Sequence, residues 1–248
     1  MGWKAFALFA TDDTAGYFGS LPAHSSELAE HTRIKLGLTP YDAIGTQTFD
    51  QCMHPPKRSL FLGAYPRGLV ICEPELPCYF FDDKPRRRIS GTRIEFQQFE
   101  SNLLNHYPNG EVLAIVLHSV VDLWGYSLYS KGQLVRSAAG ASDDGPMVNV
   151  GVPLPEEEKI LSKCPIDRID EEGLGEDLVF DVTARFLGMR IDEFAEINLE
   201  MAEYKRKRSG PASFIKKFFG GTEPRHQGGT LEAGEEFSPL PYLPSYAT

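Results

Sequence analysis

Cysteine is scarce in this sequence. Four thiols, Cys52, Cys72, Cys78 and Cys164, are spread over 248 residues without a Cys-x-x-Cys pair. Zinc wants four ligands, and the isolated Cys52 and His54 supply only two, so a zinc site is not expected. Reduced thiols, and with them a cytoplasmic setting, are the expectation. Long apolar runs are missing too. No window approaches the roughly 18 to 20 consecutive apolar residues that cross a bilayer, so no transmembrane segment is expected. The apolar start, MGWKAFALFATDD, has no charged leader or small-residue cleavage site and reads as a first strand. There is no Walker loop, Gly-x-Gly-x-x-Gly, His-Glu-x-x-His or Gly-x-Ser-x-Gly elbow, which leaves nucleotide and zinc chemistry and the serine-hydrolase elbow without support. No cofactor is expected. Positive charge is the minority sign, with 25 Lys and Arg against 35 Asp and Glu, a formal net charge of −10. Such a surface repels phosphate backbones, so no nucleic acid is expected as a partner.

What is present is an α+β pattern. Lys4 to Ala10 reads as a buried strand that ends in Thr11-Asp12-Asp13. Ser25 to Leu36 reads as a helix with serine caps, Glu27 in its first turn and Gly37 after it. Thr39 to Pro56 reads as irregular. Leu60 to Tyr65 and Leu69 to Cys72 are strands around a turn at Pro66-Arg67-Gly68. Thr92 to Glu95 has the form of a capping box ahead of a helix with Phe96, Phe99, Leu103 and Tyr107 on one face.

Val112 to Leu117 is apolar at every position, as in a strand buried on both faces. Leu123 to Tyr129 alternates, Ser130 to Gln133 is a turn, and Leu134 to Ala139 returns as a third strand. Glu156 to Cys164 and Asp177 to Leu187 read as helices. Asp192 is read as the cap of a last helix with Phe194, Ile197, Met201 and Tyr204 on its buried stripe and Lys205, Arg206, Lys207 and Arg208 at its end. The fold expected is one α+β domain over 1–208, a mixed and mainly antiparallel sheet with helices packed on it, plus that C-terminal helix. An extended tail over 209–248, packing on the body or a neighbour, completes it.

Several of these pieces resemble an uncharacterised bacterial family, domain of unknown function 6928. They are MGWKAFALFATDD, GAYPRGLVIC from Gly63, LHSVVDLWGYSLYSKGQLVRS from Leu117, VGVPLPEE from Val150 and GEDLVFDVTARFLG from Gly175. The resemblance covers roughly residues 1–190. It implies a bacterial and cytosolic protein and no assigned activity.

The candidate site lies in the stretch after the apolar strand. His118, Ser119 and Asp122 are triad residue types, but neighbours on a strand point to opposite faces. Four strand residues also put Asp122 about 13 Å from His118 unless the chain turns at Val120-Val121. A pocket built from His118, Asp122, Trp124, Tyr126 and Arg136 at the strand end is one reading. The other has Asp122 capping a turn or pairing with Arg136, and His118 as an interior histidine. Asp12 and Asp13 are candidate ligands for a divalent cation, or a turn.

Two functions follow. One is a non-enzymatic binding or interaction protein, of regulatory or immunity kind, that takes a protein partner or forms a homo-oligomer. The alternative is a metal-dependent hydrolase-like enzyme that uses Asp12 and Asp13 with His118 or Asp122. The run Lys205 to Arg208, with Lys216, Lys217 and three nearby phenylalanines, offers a contact to an anionic membrane surface, or is a solvated helix end.

Overall fold

Two apolar strands at the middle of the sheet set the architecture. In the computed structural model, which describes residues 2–13, 15–81, 89, 95–142, 145–193 and 198–206, β1 (Lys4–Thr11) and β5 (Glu111–His118) pair antiparallel from Lys4↔His118 to Thr11↔Glu111. Because side chains alternate along a strand, each of these strands feeds two cores. Ala5, Ala7, Phe9, Leu113, Ile115 and Leu117 line one face, and Leu8, Ala10, Val112 and Ala114 the other. An all-apolar strand is stable only with both faces covered, and here both are.

Around this pair the chain adds β2 (Tyr41–Thr48), β3 (Ser59–Tyr65), β4 (Gly68–Cys72), β6 (Leu123–Ser130), β7 (Gln133–Ala141), β8 (Gly145–Gly151) and β9 (Glu200–Arg206). The sheet runs β2-β9-β3-β4-β1-β5-β6-β7-β8. Each neighbouring pair is antiparallel, so the expected mixture resolves to one direction rule. α1 (Ser26–Lys35) and α3 (Phe96–His106) bury Ala29, Phe96, Phe99 and Leu103 against one face. Short α2 (Phe49–Cys52) and α4 (Glu158–Leu161), with α5 (Gly175–Leu187), cover the other, where Leu178, Val182 and Phe186 form one helical stripe. A fully buried Phe such as Phe99 contributes about 1.5–3 kcal/mol of transfer energy.

The hairpin forms as its sequence requires. Ser130 pairs with Gln133, leaving Lys131 (φ 52°) and Gly132 (φ 73°) as a two-residue turn. Two positive φ values in succession match the right-handed twist of the flanking strands. Trp124, Tyr126 and Leu128 all enter the core on the α5 side. α5 ends at Gly188, whose φ of 78° suits a residue without a Cβ and whose amide donates to the Ala184 carbonyl.

Two expectations are corrected. The irregular stretch before Pro55 contains β2, whose residues from Asp42 to Gln47 are exposed. An edge strand with no buried face leaves no hydrophobic period to read. The expected last helix is replaced, over Glu200–Arg206, by a strand between β2 and β3. Met201 enters one core while Ala202 and Tyr204 enter the other. A strand buried on both faces shows the spacing of three that a helix also shows. Lys205 and Arg206 therefore lie on a strand, with Lys205 Nζ donating to Ser59 Oγ at 2.8 Å. Lys207, Arg208 and the tail, together with Arg86 to Arg88, Thr92 and Phe194, lie outside the described residues. The described residues all belong to one compact unit, Met1–Arg206.

Candidate functional site

At the end of β5 the chain does turn. Ser119–Val121 form a single 3-10 turn, and Asp122 follows in the left-handed conformation with φ 45°. Asp122 is exposed and accepts a hydrogen bond from Ser142 Oγ at 3.0 Å. Beyond it, Trp124 is buried and its indole N–H donates to Asp170 Oδ1 at 2.5 Å. The indole rests on the first residue of α5. A Cβ on Gly175 would stand 2.1 Å from Trp124 Cδ1, so only glycine lets the helix start there. Gly140, on β7, gives the same close approach to Asp170 and to Trp124 Cζ2.

These contacts leave a cleft of about 150 Å³ at the foot of the hairpin, lined by Ser119, Asp122, Trp124, Ser142, Asp170 and Glu176 among others. That volume holds several water-sized positions, or one small charged group. Three lining side chains are carboxylates, two are hydroxyls and none is basic. The arginines that follow in sequence are committed elsewhere, Arg168 to Glu171 and Glu172 and Arg190 to Asp177, Asp181 and Asp192. A concave, acid-lined cleft concentrates negative potential, because its low-dielectric walls focus the field.

The expected site residues separate. His118 sits opposite Lys4 with its ring edge-on to Phe6, whereas its neighbour Leu117 enters the α5-side core with Trp124. His118 therefore faces away from the cleft. Ser119 Oγ lies 2.8 Å from the Trp3 carbonyl and 2.9 Å from Glu176 Oε1. Its one proton serves one of them at a time, and no imidazole is present among the cleft residues to take it.

Tyr126 and Arg136 are interior. Tyr126 is fully buried, and burial, then Glu157, push its phenol pKa far up. Arg136, at 1% exposure, pairs with Glu157 rather than Asp122: Nη2 to Oε2 is 2.9 Å and Nε to Oε1 is 3.0 Å. Its Nη1 donates to Asn149 Oδ1 at 2.6 Å, and to the Val150 carbonyl at 3.2 Å. Each of its nitrogens is thus occupied in holding β7 to β8 and to the turn at Pro155–Glu157. Of the five pocket candidates, the cleft keeps Asp122 and Trp124.

The divalent-cation arrangement is overturned by the β1–β5 register. Asp12 follows Thr11 at one end of β1, and His118 stands opposite Lys4 at the other; the seven strand steps from Lys4 to Thr11 alone span about 23 Å. Asp12 and Asp13 instead clasp Arg67, at 3.1 Å and 3.2 Å. Among the described residues, no three His, Cys, Asp or Glu side chains stand together as metal ligands.

Asp170, Glu176, Ser142 and Gly175 carry no sequence signal that joins them to Trp124. They lie some twenty to fifty residues further on, and the joining is done by packing. The one local clue is glycine, at 140, 173 and 175, where bulk would fill the cleft or strike its wall.

Fold and site together define an α+β protein whose described residues build an antiparallel nine-stranded sheet, with an acid-lined cleft at one sheet end. The chain belongs to a family of unknown function, DUF6928, whose family model matches residues 5–181. No curated protein and no solved structure matches it. No helix among the described residues is long and apolar enough to cross a membrane.

Proposed function

We propose that this is a non-enzymatic binding protein, of regulatory or immunity kind, whose cleft at the foot of the hairpin holds a cationic group of a protein partner. The observation that carries the reading is the lining: Asp122, Asp170 and Glu176 converge with Ser119 and Ser142 around Trp124, with no basic side chain among them. A planar guanidinium suits such a site, since its forked donors match carboxylates bidentately and its face stacks on an indole. An ammonium meets the charge but not the fork. The exposed Val120 and Val121, on the turn that forms the cleft's lip, supply apolar contact beside it. A bacterial, cytoplasmic setting belongs to the same proposal, and the four cysteines, none of them in a disulfide, support its cytoplasmic part.

The test is calorimetric titration with a short arginine-containing peptide, the same peptide with glutamate in place of arginine, and the Asp122→Asn/Glu176→Gln variant. Saturable binding of the arginine peptide alone, weakened about tenfold in the variant, is expected for two partly exposed charge pairs. Equal binding of both peptides, or no loss in the variant, refutes the reading.

A further inference from the structure

On the opposite face of the same sheet end, three basic groups gather around one phenylalanine. Lys4 and His118 are direct cross-strand partners, so their side chains leave the sheet on the same face. Phe6, two residues along from Lys4, shares that face and is 5% exposed. The His118 ring stands edge-on to it at 6.3 Å between centroids, and the His54 ring lies tilted against it at 6.4 Å. His54 is brought there because Phe6 N donates to the Met53 carbonyl at 2.8 Å, which lays the chain after α2 along the start of β1.

The grouping is unusual for a protein of net charge −10. None of the three makes an ion pair with a described residue. Burial, then Lys4, lowers the pKa of both imidazoles, and His118 lowers that of His54 further. Nδ1 of His118 is sealed from solvent, with no hydrogen-bond partner among the described residues. A bound anion would return free energy by favouring the protonated rings that burial and Lys4 oppose.

We propose that Lys4, His54 and His118 form a binding site for a phosphate-class oxyanion, either free phosphate or a phosphate monoester. Three separate donors around a ring suit a tetrahedral anion with three available oxygens, and charge-assisted bonds of this type are the strong ones. A carboxylate has only two oxygens to offer. The site does not depend on the acid-lined cleft, which opens on the α5 side of the sheet.

The test is carbon–proton NMR of the histidine ring Cε1–H signals in the full chain, near the ordinary imidazole pKa of 6.5. Inorganic phosphate, phenyl phosphate, acetate and chloride are titrated at matched ionic strength. Saturable shifts of His54 and His118, with His24, His31 and His106 unmoved, are expected for phosphate. If phenyl phosphate gives the same response, the site takes esters; if only inorganic phosphate does, it takes the free ion. Lys4→Gln, on a folded protein with otherwise unchanged spectra, weakens the affinity about fivefold, the scale of one partly exposed charge. Shifts that follow ionic strength alone, an equal response to acetate, or an unchanged affinity in Lys4→Gln overturn the proposal.

Discussion

Arg136 and Glu157 form an ion pair with side chains 1% and 0% exposed, joined by Nη2–Oε2 at 2.9 Å and Nε contacts to both carboxylate oxygens. Glu157 Oε1 also accepts from the Leu154 amide at 2.7 Å, so the pair ties β7 to the turn that precedes α4. Removing one partner leaves the other charged and dry. Arg136→Met should cost about 3–5 kcal/mol in urea unfolding. Arg136→Met/Glu157→Leu should cost less than the sum of the two singles, because no charge is then left buried and unpaired, and the Leu154 amide, Asn149 Oδ1 and the Val150 carbonyl lose partners without a buried charge remaining. A double variant as unstable as the sum of the two singles would contradict this.

Gly175 starts α5 under the Trp124 indole, and the indole has nowhere to retreat. Its N–H is held by Asp170, and its far edge lies over Gly140. Gly175→Ala would gain about 1 kcal/mol of helix propensity. It would also put a methyl 2.1 Å from Cδ1, an overpacking of about 1–3 kcal/mol. A net loss of stability with altered tryptophan emission is expected. A variant more stable than the parent would show that the helix start adjusts freely.

Glu73, 3% exposed at the exit of β4, accepts the Glu75 and Leu76 amides on one oxygen, at 2.8 Å and 2.7 Å. Burial raises its pKa from 4.5 to about 7, against those two bonds. A carboxyl whose folded pKa is raised contributes stability that is fully present below its unfolded pKa. That stability is lost as pH rises through the folded value. The wild type should therefore lose up to about 3 kcal/mol between pH 4.5 and above 7 from this group. Glu73→Gln, whose carbonyl still accepts both amides, should lack that slope. Parallel stability–pH curves for the two proteins would refute the assignment.

His106 Nδ1 lies 2.8 Å from Lys35 Nζ, which links α3 to α1. Burial, then Lys35, lowers the imidazole pKa. With the folded pKa below the unfolded 6.5, this link is present above 6.5 and is lost as pH falls through the folded value. Protection factors of the α3 amides, corrected for the intrinsic pH dependence of exchange, should fall on acidification, and fall less in His106→Gln. Equal acid sensitivity in both would contradict the link.

The central strands, the hairpin and α5 were legible because each carries a complete local signal. β5 is apolar throughout, the β6–β7 turn has a glycine where φ must be positive, and α5 has a stripe closed by Gly188. β2 and β9 were not legible. The first buries almost nothing, and the second buries Met201 in one core and Ala202 and Tyr204 in the other, so that Met201 and Tyr204 carry the spacing of three by which a helix is read. The site was half legible for a related reason. Asp122 and Trp124 sit beside a turn that strand parity made conspicuous. Asp170 and Glu176 reach them only through the docking of α5, which no spacing in the sequence encodes. Arg136 misled because its charge suggested a ligand, whereas its partner, Glu157, lay in a segment read only as a helix start.

The cleft's role is tested most directly by mapping where a guanidinium binds. Nitrogen–proton spectra recorded during titration with N-acetyl-arginine amide should show saturable shifts for the Trp124 indole N–H and for the amides of Ser119, Ser142 and Glu176. Trp124→Phe should abolish the indole signal and confirm which tryptophan reports. Saturable shifts confined to those groups are the predicted result. Shifts that centre elsewhere, or that never saturate, would contradict a cation-binding cleft.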